Sequence, residues 1–343
     1  MRRIGIVFGG RSGEHEVSLM SAASVISAVD RKKFEVVTIG ITREGKWKLY
    51  NGPVSLIPSG EWEKTAEDLE FSRLKEIADF MFPVLHGPYG EDGTIQGLFE
   101  MLDIPYAGCG VLASALCMDK VSAKKIFEEA GLPTSRYQLV YAEDLDTGMD
   151  EIVEKLEDEI PYAMFVKPSN MGSSVGISKA HDRDELKEAL LLAAKYDRRI
   201  IVEEAVNCRE VETGVIGNHT AEVAAVGEIT AKKEFYDYKA KYSDDEGTVI
   251  SVPAQLPKRI YDKIRFLAKE AYRAADCSGF ARVDFFVEKN SGEVYINEIN
   301  TIPGFTRYSM FPMMWEAAGI SFTELIERIV DFGYERYSDK NNR

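Results

Sequence analysis

Residues 282–300, RVDFFVEKNSGEVYINEIN, constrain this chain more than any other stretch, because they set ionic side chains inside an apolar hairpin. Val, Ile, Phe and Tyr dominate 282–288 and 293–300. Asn290-Ser291-Gly292 between them suits a three-residue hairpin loop with glycine in the left-handed position. With Lys289 opposite Glu293, Asp284 falls opposite Glu298 and Arg282 opposite Asn300, and period-two alternation sets all four on one face. Phe285, Val287, Ile296 and Ile299 are too mixed in facing for a clean solvated alternation, so both faces are expected to be at least partly buried.

Two carboxylates and an amide then converge on one spot. Burying carboxylates side by side is costly unless a cation compensates them, and an all-oxygen set of Asp, Glu and Asn suits Mg²⁺ rather than a softer metal. The competing reading is a structural ion pair, with Arg282 neutralising Asp284 and Glu298. The next four residues favour a site: Thr301-Ile302-Pro303-Gly304 leaves the strand in an irregular turn, where a free backbone N–H can face a substrate.

At 343 residues the chain exceeds one ordinary core, and two or three domains are expected. No apolar run is long enough to span a bilayer, and MRRIGIVFGG runs directly into a strand and glycine turn, so a cytoplasmic protein without membrane attachment is expected. Cys109, Cys117, Cys208 and Cys277 lack metal-ligand spacing and read as reduced, mostly buried thiols. A net charge of −15 argues against a nucleic-acid surface. A polyanionic ligand such as ATP would need local lysines, glycines and metal to overcome that field.

In order along the chain, 3–8 reads as a strand, Gly9-Gly10 as a turn and 17–29 as a helix, the opening of an α/β unit. Glu14 and Glu16 either favour the helix dipole or, for Glu14, face a cleft at the strand ends. Residues 34–41 read as a second strand, and 47–74 as a surface insertion with one short helix. The segment 78–85 ends in His86-Gly87-Pro88-Tyr89-Gly90-Glu91-Asp92-Gly93, a glycine-dense loop too costly in backbone entropy for a mere connector. A helix is expected over 94–102, and another over 114–130 carrying Lys120, Lys124 and Lys125. Gly108-Cys109-Gly110 fits a loose dinucleotide pattern but lacks the following strand with an acidic end, and is taken as chance.

The strand 161–166 leads to Lys167 and the Gly-Ser loop 168–176, which offers a point charge, hydroxyls and N–H groups to phosphates without being a Walker loop. Residues 199–206 read as a strand ending in acids. As an edge strand it would offer free backbone groups to an adenine, with Glu210 placed for a ribose hydroxyl. EFYDYKAKYSDDEG (234–247) is polar and Tyr-rich, either a solvated loop or a lid bringing Lys241 and Tyr242 over a site. Amphipathic helices are expected over 256–275 and 322–334.

Taken together, EHEVS (14–18), HGPYGEDGTIQG (86–97), SALCMDK (114–120), VKPSNMGSSVG (166–176), EFYDYKAKY (234–242), SGFARVD (278–284) and NEINTIPGFT (297–306) resemble the motifs of the ATP-grasp ligases, and within them the D-alanine–D-alanine ligases. The resemblance follows that family's order and covers nearly the whole chain. It implies an α/β and α+β protein, an ATP-grasp fold with an N-terminal Rossmann-like (pre-ATP-grasp) domain. That N-terminal substrate-binding domain would span 1–120 and the central ATP-grasp subdomain 121–207. The C-terminal subdomain, 208–343, would carry the lid (234–247) and the metal hairpin (282–300).

The resemblance also implies roles. Lys120, Lys167 and, from the lid, Lys241 would hold ATP phosphates, with Ser173 and Ser174 in the phosphate loop. Glu203, Val206 and Glu210 would meet the adenosine. Asp284, Glu298 and Asn300 would hold two Mg²⁺ ions, with Mn²⁺ able to substitute. Glu14 would bind the first D-alanine's ammonium in a chain with Ser173 and Tyr242; His86, Ser309 and Met310 would line the substrate pocket. Arg282 and the Gly304 N–H would stabilise the oxyanion. The implied reaction is ligation of two D-alanines through an acyl phosphate for peptidoglycan precursors, by a homodimer. Alternatives are a D-alanine–D-serine ligase of the vancomycin-resistance type, another ATP-grasp carboxylate–amine ligase, or a non-catalytic nucleotide sensor. Tyr242 argues against a D-lactate type, and Met310 stands where D-serine ligases tend to carry Arg. Arg307 and Tyr308 carry no interpretable signal.

Overall fold

A computed structural model describes residues 1–172, 175–231 and 248–342, and among them three sheets are formed. The first is built on β1 (Arg2–Gly9), an apolar strand buried from Ile4 onward. It pairs in parallel with β2 (Phe34–Ile41) and β5 (Phe80–Pro83). Gly9 and Gly10, at φ +87° and +93°, turn the chain into the helix His15–Ala28. A side chain at Gly9 would lie 2.2 Å from the Ile41 carbonyl oxygen, so the turn needs glycine on both counts.

The stretch 47–74 is not the surface insertion that its polarity predicts. It adds β3 (Trp47–Tyr50) and β4 (Glu67–Asp68) antiparallel to the edge of the sheet, giving the order β4-β3-β2-β1-β5. It also delivers Trp62, fully buried edge-on to Phe8 at 5.0 Å, into the space that Gly40 leaves open. One buried aromatic outweighs the polar average of its neighbours.

The second sheet is antiparallel, with β6 (Tyr137–Tyr141), β7 (Met164–Pro168), β8 (Ser178–Ala180) and β9 (Arg199–Glu204) in the order β6-β9-β7-β8. The expectation of an edge strand at 199–206 is overturned, because β9 is bonded on both sides. The N–H groups at its end are also committed, that of Glu204 to the Arg136 carbonyl and that of Ala205, the next residue, to the carbonyl of Ala163. The helix expected over 114–130 is likewise two, Val111–Met118 and Lys120–Glu129. Asp119 breaks it in an extended conformation, accepting from the Ser122 N–H at 2.8 Å and from Arg199 at 2.7 Å.

The third sheet runs β12-β11-β10-β13-β14, all antiparallel: β10 (Cys208–Gly217), β11 (Glu222–Ala231), β12 (Thr248–Ser251), β13 (Gly279–Glu288) and β14 (Val294–Asn300). The amphipathic helix Lys258–Ala274 packs its apolar stripe on one face. Phe82 from the first sheet meets Phe280 and Phe305 at 6.2 and 5.9 Å, and Phe305 meets Phe311 at 5.4 Å. This aromatic ladder fixes the loop after β14 against the end of β5. None of the described helices is long and apolar enough to cross a membrane.

Candidate active site

The hairpin brings its four polar residues together as expected, by a different route. Arg282 opposes Asn300 and Asp284 opposes Glu298, but Phe285 opposes Ile296, so Asn297 is an extra residue bulged from β14. At the turn Glu288, not Lys289, meets Glu293, and the loop is the four residues 289–292, with Gly292 left-handed at φ +73°. The longer loop and the bulge cancel at the site. The bulge also lets Ile296 and Ile299 both point into the core. On β13 the alternation is cleaner than expected, with Val283, Phe285 and Val287 buried and Arg282, Asp284 and Phe286 half-buried opposite them.

Arg282 grips both oxygens of Asp284 at 2.7 Å and reaches Glu212 of β10 at 3.3 Å. Burial opposes its charge, but Asp284 and Glu212 more than offset that, and its pKa is pushed further above the guanidinium range. The Asn300 amide donates to Asp284 at 2.9 Å. Asp284 and Glu298 keep 15% and 27% of their side-chain surface exposed, enough to meet a ligand.

Above this hairpin lie the lysines. Lys120, at the start of its helix, donates to the Met171 carbonyl at 2.7 Å, and its ammonium lies 3.7 Å from Glu298. Lys167, on β7, is 2.6 Å from Glu203, and the charges of Glu298 and Glu210 reach it too. Burial would lower its pKa, but Glu203 raises it beyond the ordinary lysine value, so the ammonium stays charged. Glu203 itself is buried, between Lys167 and Lys124. Burial alone would raise its pKa, and the two lysines instead hold it far below the carboxylate range. Its carboxylate thus engages lysines. Val206 follows β9 half-buried, and Glu210 is exposed on β10.

The N-terminal part closes the other side. The Glu14 carboxylate points at two glycines of facing loops: a Cβ on Gly87 or Gly172 would lie 2.5 or 3.2 Å from its Oε2. His86 is buried; its Nδ1 donates to the Ile302 carbonyl at 2.8 Å and its Nε2 accepts from Ser21 at 3.0 Å. Burial is the main reason its pKa is lowered, against the pull of Glu14. Glu91, which sequence reasoning passed over within its loop, accepts from the N–H groups of Gly87 at 2.8 Å and Ile302 at 3.0 Å. Burial, then the Glu14 charge, pushes its carboxyl up to about 8.

Beyond Gly304, the Ser309 hydroxyl accepts from the Thr306 N–H at 3.1 Å and closes the turn before the helix Met310–Ala317. The Met310 side chain is not brought to this cluster: it is buried against Gly227 of β11. Ser173, Ser174, Lys241, Tyr242 and the lid 234–247 lie outside the described residues.

The donor set fits magnesium. Among the described residues no cluster of three or more His, Cys, Asp or Glu side chains forms a self-sufficient cage. Two carboxylates and an amide on adjacent strands instead match the open, oxygen-only site that Mg²⁺ completes with phosphates and water. Oδ2 of Asp284 accepts from both Arg282 and Asn300, but Oδ1 accepts from the Arg282 Nε and has a second lone pair to offer a cation.

Two antiparallel sheets facing one another across lysines and carboxylates, beside a Rossmann-like N-terminal sheet, define an ATP-grasp ligase. The models "D-ala D-ala ligase N-terminus" and "D-ala D-ala ligase C-terminus" match residues 3–109 and 126–331. The chain belongs to the D-alanine–D-alanine ligase family. It is 50% identical to the D-alanine–D-alanine ligase of Acetivibrio thermocellus, over 98% of this chain and 97% of that one. It is 48% identical to that of Thermoanaerobacter sp. strain X514, over 99% and 98%. Among solved structures, the VanG D-Ala:D-Ser ligase from Enterococcus faecalis is similar with a TM-score of 0.87 at 37% identity, covering 97% of this chain and 99% of that one. The D-alanine–D-alanine ligase from Coxiella burnetii gives 0.86 at 30%, covering 99% and 96%.

Proposed function

We propose that this enzyme joins two D-alanines into D-alanyl-D-alanine, forming ADP and phosphate and supplying peptidoglycan precursor synthesis. A carboxylate does not accept an amine directly because oxide is a hopeless leaving group. An oxygen of the first D-alanine's carboxylate attacks the γ-phosphorus of ATP, ADP departs, and an acyl phosphate results. The second D-alanine's nitrogen attacks the acyl carbon, the C–O bond to phosphate breaks, and phosphate leaves.

Lys120, Lys167 and Lys241 hold the phosphates with the loop bearing Ser173 and Ser174, and Glu203, Val206 and Glu210 flank the adenosine. Asp284, Glu298 and Asn300 would hold Mg²⁺, two ions with Mn²⁺ able to substitute, which when bound neutralises polyphosphate charge. Glu14 binds the first D-alanine's ammonium, linked through Ser173 to Tyr242. The Arg282 guanidinium and Gly304 N–H face the oxyanion, and His86 and Ser309 shape the pocket around the substrate. Met310 contributes through its backbone at the helix start, where Ser309 makes no side-chain cap. A closed lid keeps water from the acyl phosphate. We assign the N-terminal domain to 1–120, the central to 121–207 and the C-terminal to 208–343, in a cytoplasmic homodimer.

The observation that carries this reading is the approach of Lys120 to Glu298 at 3.7 Å, a phosphate-type cation at a helix start against a metal-type carboxylate on β14. The deciding assay measures phosphate release from ATP with D-alanine, D-serine or D-lactate as acceptor, and the dipeptide by mass. D-alanine should stimulate release most, with one dipeptide per ADP. ADP formation no faster with D-alanine than without it would leave only a nucleotide sensor.

A further inference from the structure

Lys124 has no part in the ligation chemistry, yet it is 1% exposed and its ammonium is paired inside the protein. It lies 2.8 Å from Glu203 Oε1 and 2.9 Å from the Ser135 hydroxyl, with the Tyr137 ring centroid 5.5 Å away. Lys120 and Lys124 are four residues apart on one helix and so share a face. Lys120 reaches into the cleft, and Lys124 supports its wall from behind.

Glu203 already has a partner in Lys167, whose ammonium lies 2.6 Å from Oε2. One acid needs one base to be buried at no net charge. Here one carboxylate carries two ammonium groups, and this buried triad is left with one net positive charge. Each carboxylate oxygen is held by a different lysine, so the orientation of Glu203, and with it the position of Lys167, is fixed from both sides. Without Lys124, the full charge of Glu203 would fall on Lys167, the same group that must attract phosphate. Glu298 and Glu210 add to that burden from the cleft side.

We propose that Lys124 is a positioning residue for the nucleotide: by taking up the charge of Glu203 from behind, it leaves the Lys167 ammonium fixed and electrostatically available to a polyphosphate. This rests on the ATP-dependent reading and deepens it. The test is steady-state kinetics of Lys124→Met and Lys124→Arg in the full-length enzyme, varying ATP at saturating D-alanine, with calorimetric titration of ADP. Lys124→Gln, which keeps a hydrogen-bond donor for Glu203, is the variant more tolerant of burial.

Losing one charge-assisted phosphate contact costs about 10- to 100-fold in affinity. The KM for ATP and the Kd for ADP should rise by that factor in Lys124→Met and Lys124→Gln. The KM for D-alanine should stay within about twofold and kcat within about threefold, and Lys124→Arg should recover most of the loss. ATP and ADP constants unchanged in the neutral variants, or D-alanine and ATP constants rising together, would overturn the proposal. So would failure of both neutral variants to fold, which would make Lys124 a structural residue. Absence of ATP turnover in the unmodified enzyme would instead remove the reading beneath it.

Discussion

His86 Nδ1 stands 2.8 Å from the carbonyl oxygen of Ile302, so a histidine just past the end of β5 holds the backbone of a loop 216 residues further on. Glu91 takes the N–H of the same Ile302 at 3.0 Å, so both polar groups of one peptide residue are pinned from the N-terminal part. Gly304, the proposed oxyanion donor, is two residues beyond. Its position therefore depends on two side chains of the N-terminal part.

Replacing His86 by Phe should release one side of that grip. Misplacement by about an ångström can cost about 100-fold in rate. A fall in kcat of about 10- to 100-fold is expected, with the KM for ATP within about threefold. Initial-rate kinetics check it, and an unchanged kcat would show that the grip is not needed.

Glu91 makes stability depend on pH. Its carboxyl ionises at about 8 in the fold against 4.5 ordinarily, chiefly because it is buried, then because Glu14 faces it. The native state thus keeps a proton that the unfolded chain gives up. The stability this provides is complete below pH 4.5 and is lost as pH rises through about 8. Glu91→Gln cannot ionise, so between about pH 5 and about pH 8 its stability should improve relative to the parent by on the order of 3 kcal/mol. Urea unfolding at the two pH values measures this, and parallel pH profiles would contradict it.

Glu298→Gln should abolish ligation, by about 1000-fold or more, because a metal-type oxygen and its charge are lost together at the centre of the chemistry. With 27% of its side chain exposed, Glu298 carries little of the fold, and the melting temperature should move by only a few degrees. Turnover close to the parent's would remove the metal assignment.

The strands were legible where apolar runs are bounded by glycine or by charged residues: β1, β2 and β13 fall close to where periodicity puts them. The pairs Asp284–Glu298 and Arg282–Asn300 were legible as well, but only because a one-residue error at the turn and an unforeseen bulge at Asn297 compensate. What escaped depends on partners distant in sequence. β9 reads as an edge until β6 and β7 are seen to flank it. Trp62 reads as surface until Gly40 is seen to admit it. Lys124 reads as one solvated lysine among three until Glu203 is placed beside it. The break at Asp119 had a local signal, an acid three residues before Ser122 that caps its N–H, but the surrounding helical run concealed it.

Activation of the carboxyl group as an acyl phosphate is tested most directly with D-alanine carrying ¹⁸O in both carboxylate oxygens. If the carboxylate attacks the γ-phosphorus, one labelled oxygen must pass to inorganic phosphate for each dipeptide formed, and the new amide must keep the other. Mass spectrometry of the released phosphate should therefore show one ¹⁸O per molecule. Unlabelled phosphate accompanying normal dipeptide yield would contradict the account.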